Sequence, residues 1–185
     1  MADLVQLSKY LSLILRHRAK DFGLQMDENG FTDLAPIWAM VEDRFRGLYT
    51  RTDLEMVVAG DSNGKKRFEI MDNRIRAMYG HTRVDVTYPP AVPPETLYHG
   101  TSHQVLKQIR KHGLLHMRRQ YVHMTNNLAR AQRTGGRHDE IPAILVIHAA
   151  EAHRAGVEFY HPEEEHWLAK SIPPEFIEFP ESRLS

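Results

Sequence analysis

The segment Tyr88-Pro89-Pro90-Ala91-Val92-Pro93-Pro94 divides the 185-residue chain into two parts of similar length. Four of its seven residues are prolines, and proline lacks a backbone N–H and favours extended structure. We therefore predict a proline-rich linker at residues 89–94 between a first lobe, residues 1–88, and a second lobe, residues 95–185. Each lobe is long enough for a small domain.

The first lobe has the pattern of three helices followed by a hairpin. Leucine and isoleucine recur at helical spacing from Leu4 to Leu15, which predicts a helix with Asp3 as its N-cap. The further predicted elements are a helix capped by Asp33, a helix capped by Thr52, and two strands, 66–71 and 74–79, joined by a turn at Asp72-Asn73. This order of elements is typical of a winged-helix domain.

The second lobe mixes strands and helices, with more strands than helices. The predicted strands are residues 96–99, 121–124, 141–148, 159–160, 166–168 and 176–179. The predicted helices are residues 105–112 and 127–132. Many short strands with few helices favour a sheet-based lobe, so the sequence as a whole predicts an α+β fold.

Charge is unevenly distributed along a chain whose net charge is zero. The 24 Lys and Arg residues balance 24 Asp and Glu residues, which argues against a protein that coats nucleic acid through bulk charge. Residues 97–138, however, hold eight Lys and Arg and no Asp or Glu. We interpret this segment as one side of a site for a phosphate-rich ligand, with solvated surface as the alternative for any basic stretch.

Composition excludes several classes of site. The chain has no cysteine, so disulfides, thiolate metal sites and a cysteine nucleophile are excluded. Its 12 histidines do not show metal-binding spacings such as His-Glu-x-x-His, and we predict no metal. No apolar run approaches the roughly 20 residues that span a bilayer, and the N-terminus does not resemble a secretory signal. We expect a soluble, cytoplasmic monomer without a membrane partner.

The arginines are the main sequence evidence for a phosphate site. Its planar guanidinium binds phosphate oxygens in bidentate fashion and keeps its charge. Arg16 and His17 follow the apolar stripe of the first helix, Arg67 lies in the predicted hairpin, and Arg119 follows a Gly-Leu turn. Gly135-Gly136-Arg137-His138 could bring its backbone close to a phosphate, but it lacks the Walker spacing, so a plain turn is the alternative.

Several motifs, taken together, resemble one family. In the first lobe they are Leu7-Ser8-Lys9-Tyr10-Leu11-Ser12-Leu13-Ile14-Leu15-Arg16-His17, Gly23-Leu24, Gly30-Phe31, Lys66-Arg67-Phe68-Glu69 and Arg76-Ala77-Met78-Tyr79-Gly80-His81-Thr82. In the second lobe they are Leu97-Tyr98-His99-Gly100-Thr101, Gly113-Leu114-Leu115-His116-Met117-Arg118-Arg119, Val122-His123-Met124-Thr125 and Trp167-Leu168-Ala169. In this order the chain closely resembles the KptA-type RNA 2′-phosphotransferases, also called tRNA 2′-phosphotransferases, over nearly its whole length.

The resemblance implies a fold and a reaction. It implies an N-terminal winged-helix lobe and a C-terminal mixed-sheet lobe with the fold of the ADP-ribosyltransferases. It also implies that NAD⁺ is a co-substrate in removing an internal 2′-phosphate from RNA of the tRNA type. The RNA phosphate attacks the nicotinamide ribose, and the ribose 2″-hydroxyl then attacks that phosphate. The products are RNA with a 2′-hydroxyl, nicotinamide and ADP-ribose 1″,2″-cyclic phosphate, formed in a cleft between the lobes.

The resemblance also assigns site residues. The catalytic set of the family matches Arg16, His17, Arg67 and Arg119. Its NAD-binding positions match His99, Gly100, Thr101, His123 and Thr125, and we add Arg137 of the Gly-Gly-Arg-His segment. No metal ligand is implied.

The sequence departs from the family pattern at two places. The chain has Val-His-Met-Thr where the family usually has Val-His-Leu-Ser, and Thr125 keeps the hydroxyl. It has Glu164-Glu165-His166 where the family often has Asn-Gly-Val, so the role of His166 stays open at this point.

Two other functions use part of the same residues. An ADP-ribosyltransferase that modifies protein or nucleic-acid ends would share His99 and His123, but would have no need of the first-lobe cations. A winged-helix regulator that senses NAD should have a basic recognition helix. Residues 52–60 instead carry Asp53 and Glu55 and no Lys or Arg, which counts against a regulator.

Overall fold

A computed structural model describes residues 2–82 and 85–181. The chain forms two units, Met1–Thr87 and Tyr88–Ser185, which we call the N-terminal and the C-terminal unit. Both units combine helices with sheet, so the predicted α+β class is confirmed.

Helix α1, Leu4–Ser12, begins as the sequence predicts. Asp3 has an extended backbone, and its carboxylate accepts a hydrogen bond from the N–H of Val5 at 2.9 Å, which satisfies one of the free N–H groups of the first turn. After Ser12 the helix does not stay α-helical: Leu13–Arg18 is a π-helical segment, followed by a 3₁₀ turn, Lys20–Phe22. Arg16 and His17 therefore lie on a widened turn, a feature that often occurs at functional sites.

The next two helices differ from the prediction at their N-caps. Helix α2, Leu34–Phe45, begins after Asp33, but this side chain makes no cap hydrogen bond; its carboxylate lies 3.8 Å from Nε of Arg74 instead. Helix α3, Arg51–Ala59, is capped by Thr50 and not by Thr52. Thr50 and Asp53 form a capping box, in which each side chain accepts from the backbone N–H of the other, and this reciprocal pair fixes the start of the helix.

A three-stranded antiparallel sheet completes the N-terminal unit. Its strands are β1, Thr32–Asp33, β2, Phe68–Met71, and β3, Arg74–Ala77, in the order β1-β3-β2. Asp72 and Asn73 both have positive φ, as the central residues of a type I′ hairpin turn require. The predicted hairpin is therefore confirmed, with strands shorter than expected.

The C-terminal unit is built on a seven-stranded antiparallel sheet with the order β12-β8-β5-β7-β10-β9-β4. Its strands are β4, Pro90–Ala91, β5, Thr96–Thr101, β7, Val122–Thr125, β8, Ala143–His148, β9, Phe159–Glu163, β10, His166–Ala169, and β12, Ile177–Glu178. A separate two-stranded sheet pairs β6, Leu114–Leu115, with β11, Ser171–Ile172. All six strand regions predicted for this lobe are confirmed.

Part of the proline-rich segment belongs to this sheet. Pro90 pairs with Tyr160, and Ala91 pairs with Phe159, so residues assigned to a linker form the edge strand β4. An edge strand can contain proline because the missing N–H need not face a neighbouring strand.

The described part of the C-terminal unit contains the helices α4, Leu106–His112, α5, Leu128–Gly135, and α6, Ala149–Arg154. Helices α5 and α6 pack on the large sheet, whereas α4 contacts β6. The sequence predicts α4 and α5, whereas α6 follows β8 directly and was not predicted. Short 3₁₀ turns occur at His103–Val105 and Pro174–Phe176. In the described ranges, 2–82 and 85–181, none of the helices is long and apolar enough to cross a membrane.

Helix α5 approaches strand β5 most closely at Gly100. A Cβ atom at this position would overlap the carbonyl oxygen of Ala131 and lie 2.9 Å from the backbone nitrogen of Gly135. Gly135 is equally confined, because a Cβ there would lie 2.5 Å from Cβ of Pro142. Glycine is required at Gly100 because backbone occupies the space of a side chain.

We expect Gly100→Ala to destabilise the C-terminal unit by at least about 3 kcal/mol, because a clash with backbone cannot be relieved by a rotamer change. The measurement is chemical denaturation followed by circular dichroism. Gly156→Ala is the control: Gly156 has a φ of 105° but open space around it, so it should cost roughly 1–2 kcal/mol. Equal stability losses in the two variants would contradict the close-approach argument.

Candidate active site

A pocket of about 680 Å³ opens in the N-terminal unit beside helices α1 and α3. Its polar lining residues are Ser8, Lys9, Ser12, His17, Asp61, Ser62 and Arg67. Its apolar lining residues are Leu4, Val5, Leu13, Met56 and Val57. The pocket therefore brings the predicted residues His17 and Arg67 together and offers an anion several donors, with the Asp61 carboxylate among them.

Arg67 is oriented by a carboxylate at the edge of this pocket. Its Nη1 donates to Oδ2 of Asp61 at 2.7 Å and to the carbonyl of Lys65 at 3.4 Å. Burial opposes ionisation of Asp61, but hydrogen bonds from Arg67 and from the N–H groups of Lys65 and Asn63 outweigh burial and lower its pKa. Asp61 is therefore a carboxylate at neutral pH and limits the positions that Arg67 can adopt.

The segment after β3 supports the Arg16-His17 pair. Nδ1 of His17 lies 2.9 Å from Oγ1 of Thr82, and the N–H of Thr82 donates to the carbonyl of Arg16 at 3.0 Å. The Arg16 guanidinium lies over the ring of Tyr79, with Cζ 5.0 Å from the centroid. A side chain at Gly80 would contact Arg16, since a Cβ there would lie 3.4 Å from its Cδ. The segment 79–82 thus contacts both Arg16 and His17.

His81 is buried beside the same pair of residues. A Cβ atom at Gly30 would lie 3.3 Å from Nε2 of His81. Burial, together with the charges of Arg16, His17 and Arg76, lowers the pKa of His81 to about 4. The ring is therefore neutral at physiological pH and adds no charge to the site.

In the C-terminal unit, His99 is oriented by the backbone of strand β7. Nδ1 of His99 lies 2.7 Å from the carbonyl oxygen of His123. A carbonyl only accepts, so Nδ1 carries the proton, and Nε2 has a lone pair that can accept from a hydroxyl. Burial is the main reason that the pKa of His99 is lowered. The hydrogen bond to the His123 carbonyl raises this pKa, and the charges of Arg119 and His138 lower it further.

Arg119 and Arg137 form a cationic region near His99. Burial lowers the pKa of Arg119, and the charge of Arg137 lowers it further, although the Arg119 side chain keeps contact with solvent. A guanidinium remains charged at neutral pH even after such a shift. The structure thus brings Arg119 and His138 within electrostatic reach of His99, and Arg137 within electrostatic reach of Arg119.

His123 belongs to a chain of polar side chains that the sequence did not predict. Its Nδ1 lies 2.7 Å from Nε2 of His166, and Nδ1 of His166 lies 3.2 Å from Nη2 of Arg130. Nη1 of Arg130 in turn donates to Glu163 at 3.0 Å and to Glu165 at 3.4 Å. His166 is buried rather than exposed to solvent.

The remaining predicted NAD-binding residues have well-defined positions in the sheet. Thr101 ends strand β5, where it pairs with Ala143. Thr125 ends strand β7 and is buried, and its hydroxyl accepts from the N–H of Asn127 at 3.1 Å. Gly100 contacts helix α5 as described above. Thr125 and Gly100 thus have packing or capping roles whether or not they contact a ligand.

Within residues 2–82 and 85–181, no three His, Asp or Glu side chains come close enough together to hold a metal ion.

Comparison with known proteins decides the family. The sequence profile of the family described as "RNA 2′-phosphotransferase, Tpt1 / KptA family" matches residues 2–171. The chain belongs to this family.

Its relatives include three proteins named "Probable RNA 2′-phosphotransferase". The protein of Lacticaseibacillus paracasei is 40% identical over 94% of this chain and 92% of the relative. The protein of Bacillus thuringiensis subsp. konkukian is 39% identical over 92% of both chains. The protein of Escherichia coli O9:H4 is 36% identical over 96% of both.

As a member of the RNA 2′-phosphotransferase family, the chain is an enzyme of the transferase type. Several residues around its predicted site were not identified from the sequence. Ser8 and Ser12 could have been found, because their i, i+4 spacing puts them on one face of α1. Asp61, Thr82 and Arg130 could not, because each acts through a partner that sequence spacing does not reveal.

We expect His81 to reduce stability in mild acid. Below pH 6.5 the unfolded chain binds a proton on this ring that the folded chain rejects until about pH 4. Stability should therefore fall as pH decreases through this window, by roughly 3 kcal/mol in total, with no contribution from His81 above it. Urea unfolding of the wild type and of His81→Gln, from pH 7.5 to 4.5, measures the difference.

The exposed His112 supplies the control, as His112→Gln should follow the wild-type pH dependence. The argument fails if His81→Gln loses stability in acid as steeply as the wild type does.

Proposed function

We propose that the protein is an NAD-dependent RNA 2′-phosphotransferase that removes an internal 2′-phosphate from RNA of the tRNA type. The products are RNA with a 2′-hydroxyl, nicotinamide and ADP-ribose 1″,2″-cyclic phosphate. The observation that carries the proposal is the pocket of the N-terminal unit, which is lined by Lys9, His17 and Arg67 in a chain whose family profile covers residues 2–171.

The N-terminal unit is proposed to be a winged-helix lobe that binds the RNA phosphate. Three helices followed by the β2–β3 hairpin support this assignment. Arg67 is suited to a bidentate contact with phosphate oxygens, and the serine hydroxyls of α1 can donate further hydrogen bonds. Because Thr82 holds His17 at Nδ1, Nε2 is the ring nitrogen proposed to donate to the phosphate or to transfer a proton.

The C-terminal unit is proposed to be an ADP-ribosyltransferase-like lobe that binds NAD⁺. The residues fit this ligand: Arg119 and Arg137 are cations for a pyrophosphate, and Nε2 of His99 can accept from a ribose hydroxyl. His123, Gly100, Thr101 and Thr125 complete the proposed NAD-binding set. When bound, NAD⁺ supplies an electrophilic ribose carbon and nicotinamide as its leaving group.

Electrostatics gives a reason for arginines in such a reaction. Two unit negative charges 4 Å apart repel by about 4 kcal/mol at an effective dielectric of about 20. The RNA phosphate and the dinucleotide are both anions, so Arg16, Arg67 and Arg119 are proposed to offset this repulsion. The same guanidinium groups would stabilise the charge that develops on the transferred phosphoryl group.

Incubation with NAD⁺ and an oligonucleotide carrying one internal 2′-phosphate tests the reaction. We expect equal amounts of the three products by mass spectrometry, no reaction without NAD⁺, and unchanged turnover in the presence of EDTA. An oligonucleotide with only a terminal phosphate is the substrate control. Phosphate release without NAD⁺ would contradict the proposal, and stable attachment of ADP-ribose to the terminal phosphate would identify an end-modifying ADP-ribosyltransferase.

Arg119→Ala should lower turnover on the order of 100-fold or more, because charge stabilisation at the phosphoryl group is lost. The affinity for NAD⁺ should change by less than about tenfold, since Arg137 and the histidines remain. Steady-state kinetics and calorimetric titration with NAD⁺ separate the two effects. Arg118→Ala, which removes the exposed neighbouring charge, is the matched control and should retain wild-type turnover. Near-normal turnover of Arg119→Ala would remove Arg119 from the catalytic set.

A further inference from the structure

A buried polar network links helix α5 to the histidine of strand β7. Arg130, Glu163 and His166 expose only 5%, 8% and 8% of their surface, respectively. His166 pairs with Thr125 and Leu168 pairs with His123 across the β10–β7 ladder, so His123 and His166 lie on the same face of the sheet. Buried polar groups of this kind require complete hydrogen bonding, which makes the network sensitive to the loss of any member.

The donors and acceptors in this network have one consistent arrangement. An arginine side chain only donates hydrogen bonds. Nδ1 of His166, 3.2 Å from Nη2 of Arg130, must therefore accept, and the proton of the His166 ring resides on Nε2. That Nε2–H donates to Nδ1 of His123 at 2.7 Å. His123 consequently accepts at Nδ1 and carries its own proton on Nε2.

The carboxylates on the far side of Arg130 hold this arrangement in place. Arg130 donates to Glu163 and Glu165, and Glu165 also accepts from the side-chain amide of Asn127 at 3.0 Å. Asn127 in addition accepts from the backbone N–H of Arg130 at the start of α5. Two carboxylates thus hold Nη1 of the guanidinium, and its Nη2 is directed at His166.

We propose that His166 is a positioning residue that, anchored by Arg130, holds His123 in the tautomer with its proton on Nε2. Under the proposed function, on which this inference rests, that proton is the donor that His123 offers to NAD⁺. Phosphate and ribose-ring oxygens only accept hydrogen bonds, so the opposite tautomer of His123 would present a lone pair to them and lose the contact.

The two histidines of the proposed NAD site then have opposite roles. His99 donates from Nδ1 to the carbonyl of His123 and presents an acceptor at Nε2. His123 accepts at Nδ1 from His166 and has its donor at Nε2. The tautomer of each ring is thus fixed by a hydrogen bond at Nδ1. For His99 the partner is a backbone carbonyl, and for His123 it is His166, which Arg130 orients.

Nitrogen NMR of the imidazole rings tests the arrangement without any ligand. Protonated and unprotonated ring nitrogens differ widely in ¹⁵N shift, so a long-range ¹H–¹⁵N spectrum of histidine-labelled protein reports each tautomer. In the wild type at pH 7.5, His123 should show a protonated Nε2 and an unprotonated Nδ1. In His166→Leu, which fills the space but cannot donate, His123 should show a mixture of tautomers.

The conservative variant His166→Gln keeps an oxygen that can accept from Arg130 and an N–H that can donate to His123. It should restore the wild-type His123 spectrum, a result that a merely space-filling role would not give. An unchanged His123 tautomer in His166→Leu overturns the proposal. Arg130→Met is a second variant, which tests the same arrangement without changing His166 itself. It removes the group that directs His166, so His123 should again show a mixture of tautomers.

Calorimetric titration with NAD⁺ links the network to the proposed function. We expect His166→Leu to weaken NAD⁺ binding roughly tenfold and His166→Gln to stay within about threefold of the wild type. His123→Ala is measured alongside. If the tautomer changes as expected but neither His123→Ala nor His166→Leu alters NAD⁺ affinity, the positioning role stands and the assignment of His123 to the NAD site is wrong. If His123→Ala weakens NAD⁺ binding while His166→Leu leaves both tautomer and affinity unchanged, the positioning role is wrong and the NAD site stands.

Discussion

The close contact between helix α5 and strand β5 at Gly100 determines much of the C-terminal unit. Because no side chain fits between the two backbones, α5 lies directly on the sheet. Its N-terminal turn then carries Arg130 to the buried His166, and its C-terminal end leads into the segment with Arg137. A glycine that the sequence suggested as a ligand residue is thus first a packing requirement, and the placement of several charged groups depends on it.

The cationic segment at residues 97–138 is less uniform in the folded chain than in the sequence. Arg130 is paired with Glu163 and Glu165, and Asp139 accepts from the hydroxyl of Ser102 and the N–H of His103. Acidic residues that follow the segment in sequence therefore lie next to it in the fold and neutralise part of its positive charge. The charge of Arg137, by contrast, lowers the pKa of Arg119, as expected of like charges kept close together. Such repulsion is a cost to the fold, and a bound anion would relieve it.

Much of the fold could be predicted because its signals are local. The Asp3 cap, the hairpin turn at Asp72-Asn73 and the strand regions of the second lobe each depend on neighbouring residues, and all are confirmed. The cap at Thr50 was missed because Thr50 and Thr52 are both suitable N-cap residues two positions apart. The strand at Pro90–Ala91 was missed because its partner strand is distant in sequence. The same limit applies to the site: arginine and histidine positions followed from motifs, but the contacts of Arg130 and His166 are non-local. The family resemblance is confirmed, whereas the catalytic and NAD-binding assignments stay predictions.

The π-helical segment Leu13–Arg18 has a consequence for how this helix tolerates change in length. In a π turn the hydrogen bonds span five residues instead of four, so the segment holds more residues per turn than an α-helix does. The fully buried Ile14 and Leu15 share this segment with Arg16 and His17. Deleting one residue between Leu13 and Arg18 would change which of these side chains face the core. A change of chain length here would therefore disturb the core and the predicted site together, whereas a substitution at Arg16 or His17 alters one side chain only.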